Sequence, residues 1–429
     1  MIAVLLPLLF ESPILRALRH RNFRLFFSGQ IISLIGTWME SVAQAWLVYR
    51  LTGSSALLGL VAFAGQIPVL LLGPVAGHLA DRLPRRAIIL FTQSTFCVIA
   101  LLLAALTLSG RIQIWQIFVL GTLMGIVNAF DVPARQSFLK ELVGHEDMIN
   151  AIALNSTMFN FARVAGPAIA GLIVSQIGEG WCFLLNGISY LAVITGLLRI
   201  RLLPVPTPES VTVSPWQNIR DGYAFIGQTM PVRNLLGMIA LLSFAGLPFI
   251  VLLPVFAEGI LHSGAKGLGL LMSSAGVGAT AGALLLASRL KVEGLSRWLS
   301  AAAVTFSLAL ASFAWSTNLW LSVALLLLTG FAMMVQILSC NTLIQSMVPD
   351  HYRGRVMSVY SMMLIGMNPV GAMVAGFAAA RWGAPLTITV GAATCLVAAL
   401  AFIAALPAFR VGARSLLSER AIPPVDQKQ

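Results

Sequence analysis

Three ionisable side chains sit inside stretches that are otherwise apolar: Glu40, Asp131 and Arg163. A charge at the centre of a bilayer costs at least about 3 kcal/mol on insertion scales, so each demands a partner or a function. The chemistry open to them is proton or charge switching, or a static ion pair. Glu40 falls on a polar stripe at helical spacing, Gln30, Ser33, Thr37, Glu40 and Gln44. Arg163 falls on a second, Ser156, Asn160, Arg163 and Pro167. Lipid does not tolerate such stripes, so both are expected to face a central cavity. Thr37, Gln44, Asn128, Asn160, Gln336 and Asn368 would be its polar lining. Asp131 stands near one end of its span, where a snorkelling or gating salt bridge with Arg135 or Arg82 is expected ahead of proton coupling.

The elements that position these groups are membrane helices. Hydrophobic residues make up 58% of the 429 residues and charged residues 10%, against roughly 25% charged in soluble domains. Twelve apolar runs recur, starting near Phe23, Ala56, Ala87, Ile114, Asn150, Trp181, Val232, Gly267, Trp298, Leu319, Val356 and Pro385. Each has about 20 residues, enough to cross the hydrocarbon. With the N-terminus cytoplasmic, 22 of the 27 Lys and Arg residues fall in cytoplasmic segments. That positive-inside bias sets the orientation, with both termini cytoplasmic. The net charge of +12 is therefore topology, and no nucleic-acid partner is expected. Cys97, Cys182, Cys340 and Cys395 all lie in apolar spans without metal-ligand spacing, so neither a metal site nor a disulfide framework is expected.

The chain repeats itself. Seven glycines of the first half meet glycines of the second at an offset of 205: Gly59/Gly264, Gly73/Gly278, Gly77/Gly282, Gly125/Gly330, Gly166/Gly371, Gly171/Gly376 and Gly178/Gly383. Shared glycines imply shared backbone packing. The expected fold class is an all-α membrane protein, twelve transmembrane helices in two pseudo-symmetric six-helix bundles. The bundles would occupy 23–200 and 232–408, with a segment 1–22, a Pro-rich linker 201–231 and a tail 409–429 on the cytoplasmic side. Met1 to Phe10 reads as interfacial, or as a start codon placed early. Trp216 to Phe225 reads as a short surface helix, and the polar tail as disordered. The same 205-residue offset takes Asp131 to Gln336, Arg163 to Asn368 and Glu40 to Ala245. Charge switching thus belongs to the first half, and pocket shaping to the second.

The loop between spans two and three reads Gly73-Pro-Val-Ala-Gly77-His-Leu-Ala-Asp81-Arg82-Leu-Pro-Arg85-Arg86. It resembles the signature loop of the major facilitator superfamily, with Pro84 where that signature has glycine. Gly77 would allow close helix approach, Asp81 would meet an Arg or a helix N-terminus, and Arg82, Arg85 and Arg86 would hold the cytoplasmic surface. Further motifs are similar to one branch, the enterobactin-exporter-like group or transmembrane secretion effectors. They are Ser33-Leu-Ile-Gly36-Thr-Trp38, Ala43-Gln44-Ala-Trp46, Asn128-Ala-Phe-Asp131-Val-Pro133-Ala-Arg135-Gln136, Ala162-Arg163-Val-Ala-Gly166-Pro167-Ala-Ile-Ala-Gly171 and the stretch from Gly178 through Asn186 to Tyr190.

The resemblance implies export from the cytoplasm across a bacterial inner membrane, of siderophores or drug-like compounds, by a monomer working through alternating access. Spans one and five are neighbours in this fold, which allows a Glu40–Arg163 pair. Gly166-Pro167, with Gly171, resembles the helix bend of drug/proton antiporters, which implies a proton gradient as energy source and no cofactor. No Gly-x-x-x-x-Gly-Lys-Ser/Thr loop occurs, so the chain has no ATP site of that kind. Nor does it contain His-Glu-x-x-His or Gly-x-Ser-x-Gly, and no soluble stretch is long enough for an enzyme or a sensor output domain. Lipid or lysolipid flipping is the alternative within the superfamily. Asp81→Asn is expected to stop transport without loss of membrane insertion; full transport by this variant would remove the loop from the mechanism.

Overall fold

The structure, a computed structural model, describes residues 13–144, 146–201, 224–289 and 293–421. After a 3-10 segment, Pro13–Arg19, come twelve helices long and apolar enough to cross a membrane. They are α1 Arg21–Thr52, α2 Ser55–Arg82, α3 Arg85–Leu108, α4 Ile114–Val143, α5 Met148–Ile177 and α6 Glu179–Arg199. Then follow α7 Met230–Ile260, α8 Gly264–Ala287, α9 Leu295–Ala314, α10 Leu319–Met347, α11 Asp350–Trp382 and α12 Ala384–Ala404. At 1.5 Å per residue each reaches about 30 Å or more. No described residue is in a strand, which suits a chain whose backbone groups must be satisfied within each span. The joints are local chemistry. Ser54 caps α2 by accepting from the Leu57 N–H, and Asn318 caps α10 by accepting from Trp320 and Leu321.

The tail departs from expectation. Instead of disorder beyond Phe409, a thirteenth helix, α13, runs Leu406–Ala421. Its first turn is anchored by Phe409, fully buried with its ring edge-on to Phe402 at 5.1 Å. The expected interfacial segment, Met1 to Phe10, lies outside the described residues. So do positions 216–223 of the expected surface helix, whereas 224–228 are helical.

Contacts divide the chain into two compact units, Met1–Val211 with Leu253–Ser273, and Thr212–Leu252 with Ser274–Gln429. In the first, α1 packs on α4, α5 and α6, α2 on α4, and α3 on α4 and α6. One end is filled by an aromatic cluster around Phe23, Phe26 and Phe138. In the second, α9 packs on α10 and α12, and α7 on α11 and α12.

Glycines set the crossings, and they do so alike in both units. A side chain on Gly125 would strike the Gly65 carbonyl of α2, and one on Gly330 would strike the Ala275 carbonyl of α8. Gly166 lies against Trp38 and Ile35 of α1, and Gly371 against Phe244 of α7. Gly178 and Gly383 turn α5 into α6 and α11 into α12 with φ of 94° and 85°, a region that favours glycine. In the first unit the start of α8 crosses α5 closely: Gly269 abuts the Pro167 carbonyl and Gly171, and Ser273 Oγ donates to the Val164 carbonyl at 2.9 Å.

Gly73 and Gly77 behave differently. An added Cβ on either would meet nothing within 4 Å, so neither supports the close helix approach expected of the loop. Two of the spans, α7 and α11, also break the regular helical repeat. Among the described residues, π-helical turns occur at Leu242–Gly246 and Phe256–Ile260 of α7 and Met362–Gly366 of α11. Ser243 Oγ donates to the Leu364 carbonyl at 2.6 Å, satisfying one group in the widened turn.

Gly125→Val or Gly330→Val should therefore cost about 1–3 kcal/mol by overpacking. The thermal unfolding temperature of detergent-solubilised protein checks this: both variants should melt lower, whereas Gly73→Ala and Gly77→Ala should match or exceed the parent.

Candidate functional site

Within the first unit, α1, α4 and α5 enclose a cavity of about 450 Å³, within the usual range for small-molecule sites. Its polar lining is Gln30, Arg135, Gln136 and Asn155, and its apolar lining includes Phe26, Leu34 and Phe159. Phe159 stands edge-on to Trp38 at 5.7 Å between ring centroids, so both aromatics are packing against each other. Gln30 is buried, and its Oε1 has no hydrogen-bond partner among the described residues.

Arg135 is the one ionisable side chain among the described residues of that lining, and Asp131 holds it. The two are a turn apart on α4, with Nη2 2.5 Å from Oδ2. Asp131 is fully buried, and its Oδ1 accepts from Thr92 at 2.7 Å and Gln93 at 3.0 Å, both on α3. Both of its oxygens are thus engaged, one by a cation and one by two neutral donors, the arrangement that makes a buried carboxylate tolerable. The Arg135 partner expected for Asp131 is present; Arg82 is exposed at the end of α2.

Glu40 does not pair with Arg163. Asn186 of α6 donates to Glu40 Oε2, while Oε1 is buried without a hydrogen-bond partner among the described residues. Asn186 also reaches the Tyr190 hydroxyl at 3.3 Å and receives Ser189 Oγ at 3.0 Å; Thr37 lies 3.4 Å from the same hydroxyl. Glu40 therefore points into the α1–α6 seam, not toward the cavity that α1 shares with α4 and α5. Arg163, half-buried on α5, donates to Asn160 Oδ1 at 2.8 Å and forms no ion pair among the described residues. The offset of 205 that takes Glu40 to Ala245 takes Asn186 to Gly391, and in the second unit the Ala245 carbonyl lies directly against Gly391. A polar pair in one unit stands where the other has bare backbone contact.

The remaining expected lining residues scatter. Gln44 lies beside Gly121 of α4, Asn128 is half-buried on α4, and Asn160 is engaged by Ser156 and Arg163. In the second unit Gln336 is buried on α10 with Oε1 unpartnered among the described residues, and Asn368 is half-buried on α11. The cavity residues Gln136 and Asn155 went unmarked as lining in the sequence. Met148, Ile152, Asn155 and Phe159 follow helical spacing on α5, one face round from the stripe that was read.

The signature loop is tied down at its basic end. Arg85 forms an ion pair with Glu141 at the end of α4, and Arg86 donates to the Leu198 carbonyl of α6 at 3.1 Å. Arg16 and His20 close on Asp147 at the same end of the unit, each at 2.7 Å. Asp81 is in the last turn of α2, and its side chain lies outside the described residues.

These features agree with known proteins. The family profile described as transmembrane secretion effector matches residues 12–426. The staphyloferrin A transporter of Staphylococcus aureus is 26% identical over 367 residues, covering 85% of this chain and 91% of that one. The enterobactin exporter EntS of Shigella boydii is 27% identical over 363 residues, covering 83% and 85%. The multidrug efflux pump Tap of Mycolicibacterium fortuitum is 24% identical over 350 residues, covering 80% and 85%. The crystal structure of the nucleoside transporter NupG superposes with a TM-score of 0.71 at 15% identity, over 90% of this chain and 98% of that one. With twelve helices long and apolar enough to span a membrane, a tethered signature loop and a family profile matched over nearly the whole chain, the chain belongs to the transmembrane secretion effector family of the major facilitator superfamily, and is a multi-pass membrane transporter, not an enzyme.

Proposed function

We propose that the chain is a secondary exporter that moves a small amphipathic molecule out of a bacterial cell by alternating access and proton antiport. It would sit as a monomer in the inner membrane with both termini cytoplasmic, in keeping with the positive-inside bias. Siderophores are the favoured cargo, because relatives carry the names staphyloferrin A transporter and enterobactin exporter. The Tap relative, a multidrug efflux pump, supports drug-like cargo as the second reading.

The observation that carries proton coupling is Glu40. It is buried in the α1–α6 seam with a neutral amide on one oxygen, nothing on the other among the described residues, and no cation. A permanently charged carboxylate in such a place is costly, whereas one that takes and releases a proton as its seam opens and closes has a use for the vacant oxygen. Asp131 differs: a guanidinium and two neutral donors fix it, so its role is to position Arg135. Arg163 is the second candidate for charge switching, being half-buried and free of an acid among the described residues.

Glu40→Gln keeps the size and the Asn186 contact but removes the exchangeable proton. In proteoliposomes with an imposed pH gradient, the parent should drive efflux of its substrate, and the variant should lose gradient-driven transport by about tenfold or more, in line with losing an essential proton carrier. Unchanged coupling in a well-inserted Glu40→Gln protein would eliminate Glu40 as the carrier. Cargo is read by mass spectrometry of medium and cells from a deletion strain and its complemented parent. Retention of a compound only under iron starvation marks a siderophore; retention of added drugs marks the second reading.

A further inference from the structure

The cavity between α1, α4 and α5 has a polarity that the exporter reading does not assign. Of the Asp131–Arg135 pair on α4, Asp131 is fully buried behind the wall, whereas the Arg135 side chain is 24% exposed and reaches the lining. Asp131 engages Nη2 of the guanidinium, and among the described residues no other partner engages that side chain, which has further N–H donors. Among the described lining residues none is a carboxylate; the other polar members are the neutral amides of Gln30, Gln136 and Asn155. Phe26 and Phe159 supply apolar walls.

From this we infer that the cavity binds an amphipathic organic anion, with its carboxylate or equivalent oxyanion on Arg135 and its apolar body against Phe26 and Phe159. This rests on the exporter reading, since it names the class of cargo. Three physical points support it. A guanidinium already oriented by a buried carboxylate loses little freedom on gripping an oxyanion. An amine entering the same space meets a guanidinium and, among the described lining residues, no acid, so cations are disfavoured. Gln30 adds to the wall a neutral amide whose buried oxygen has no hydrogen-bond partner among the described residues. Asp131 acts through Arg135 and is a positioning residue.

The test uses the full chain in nanodiscs and three fluorescent probes that share one apolar group: N-dansyl-6-aminohexanoate, its primary amide, and dansylcadaverine. The anion should bind the wild-type protein about tenfold more tightly than the amine, a difference of about 1.4 kcal/mol. Arg135→Gln should erase that preference by weakening the anion far more than the neutral amide, and Arg135→Lys should keep part of it. The wild-type ranking stands without any variant, so a poorly folded Arg135→Gln protein does not rescue the assignment. Absence of anion binding, equal or tighter binding of the amine, or a preference that survives Arg135→Gln overturns it.

The discs are made once with phosphatidylcholine alone and once with added phosphatidylglycerol. Preference retained in both supports a dissolved anion as cargo; displacement of the probe by phosphatidylglycerol assigns the guanidinium to lipid headgroups and overturns the cargo class. Proteoliposome transport separates the two readings. A protein that moves the amine under a pH gradient and ignores the anion keeps the exporter reading and loses this one. One that binds the anion through Arg135 and moves none of the probes keeps the anion site and loses the exporter reading.

Discussion

Helices in hydrocarbon gain nothing from hiding apolar faces, because the lipid is as apolar as they are; they hold together by close backbone approach. That constraint governs this molecule. Gly125 lets α4 settle on α2 at the Gly65 carbonyl, and Gly166 lets α5 settle on α1 at Ile35 and Trp38. Because α1 also meets α6 through Gly29 and Gly36, it is fixed against two neighbours, α5 and α6. The cavity among α1, α4 and α5 is the space those crossings leave. Larger residues at the same points would push the helices apart and change its shape before touching any residue that lines it.

The second governing rule is that each intramembrane charge must be answered, and the first unit answers its three in different ways. Asp131 and Arg135 share one helix, so their ion pair needs no neighbouring element to stay aligned and moves with α4 as a body. Thr92 and Gln93 then tether that body to α3. Glu40 is answered by an amide across a helix seam, which a small separation of α1 and α6 would break. Arg163 is answered within its own helix by Asn160. Two of these arrangements are internal to a helix and insensitive to helix movement; the Glu40 contact depends on it.

Length and hydropathy made the twelve spans legible, and the offset of 205 made the paired crossings legible, since Gly125/Gly330, Gly166/Gly371 and Gly178/Gly383 do matching work. Side-chain direction was harder. Gln30 and Glu40 read as one stripe, yet ten residues along a helix turn Glu40 about 80° away from Gln30 at 100° per residue. Gln30 therefore meets the cavity while Glu40 meets α6. Partners from distant helices were invisible in the same way: Asn186 stood in a quoted motif with no sign that it would answer Glu40. Arg135 was marked as the answer to Asp131, but nothing local shows that a guanidinium so engaged also faces a cavity. The tail misled because polar composition hid a single aromatic anchor, Phe409.

The internal repeat gives the α1–α6 seam its own control. Ala245 and Gly391, the counterparts of Glu40 and Asn186 at the 205-residue offset, pack backbone on side-chain-free backbone, which is how a seam between these helices closes when nothing polar is needed. Gln336 and Cys340 likewise replace Asp131 and Arg135 by neutral groups, both buried. The second unit thus shows that the duplicated architecture stands without any of the four. A buried acid and its amide add desolvation cost to a junction that glycine and alanine already make. Stability does not explain their placement, whereas the proposed exporter chemistry gives them a use. On the proposed reading, charged chemistry gathers in the first unit because an exchangeable proton and an oriented cation need be built only once.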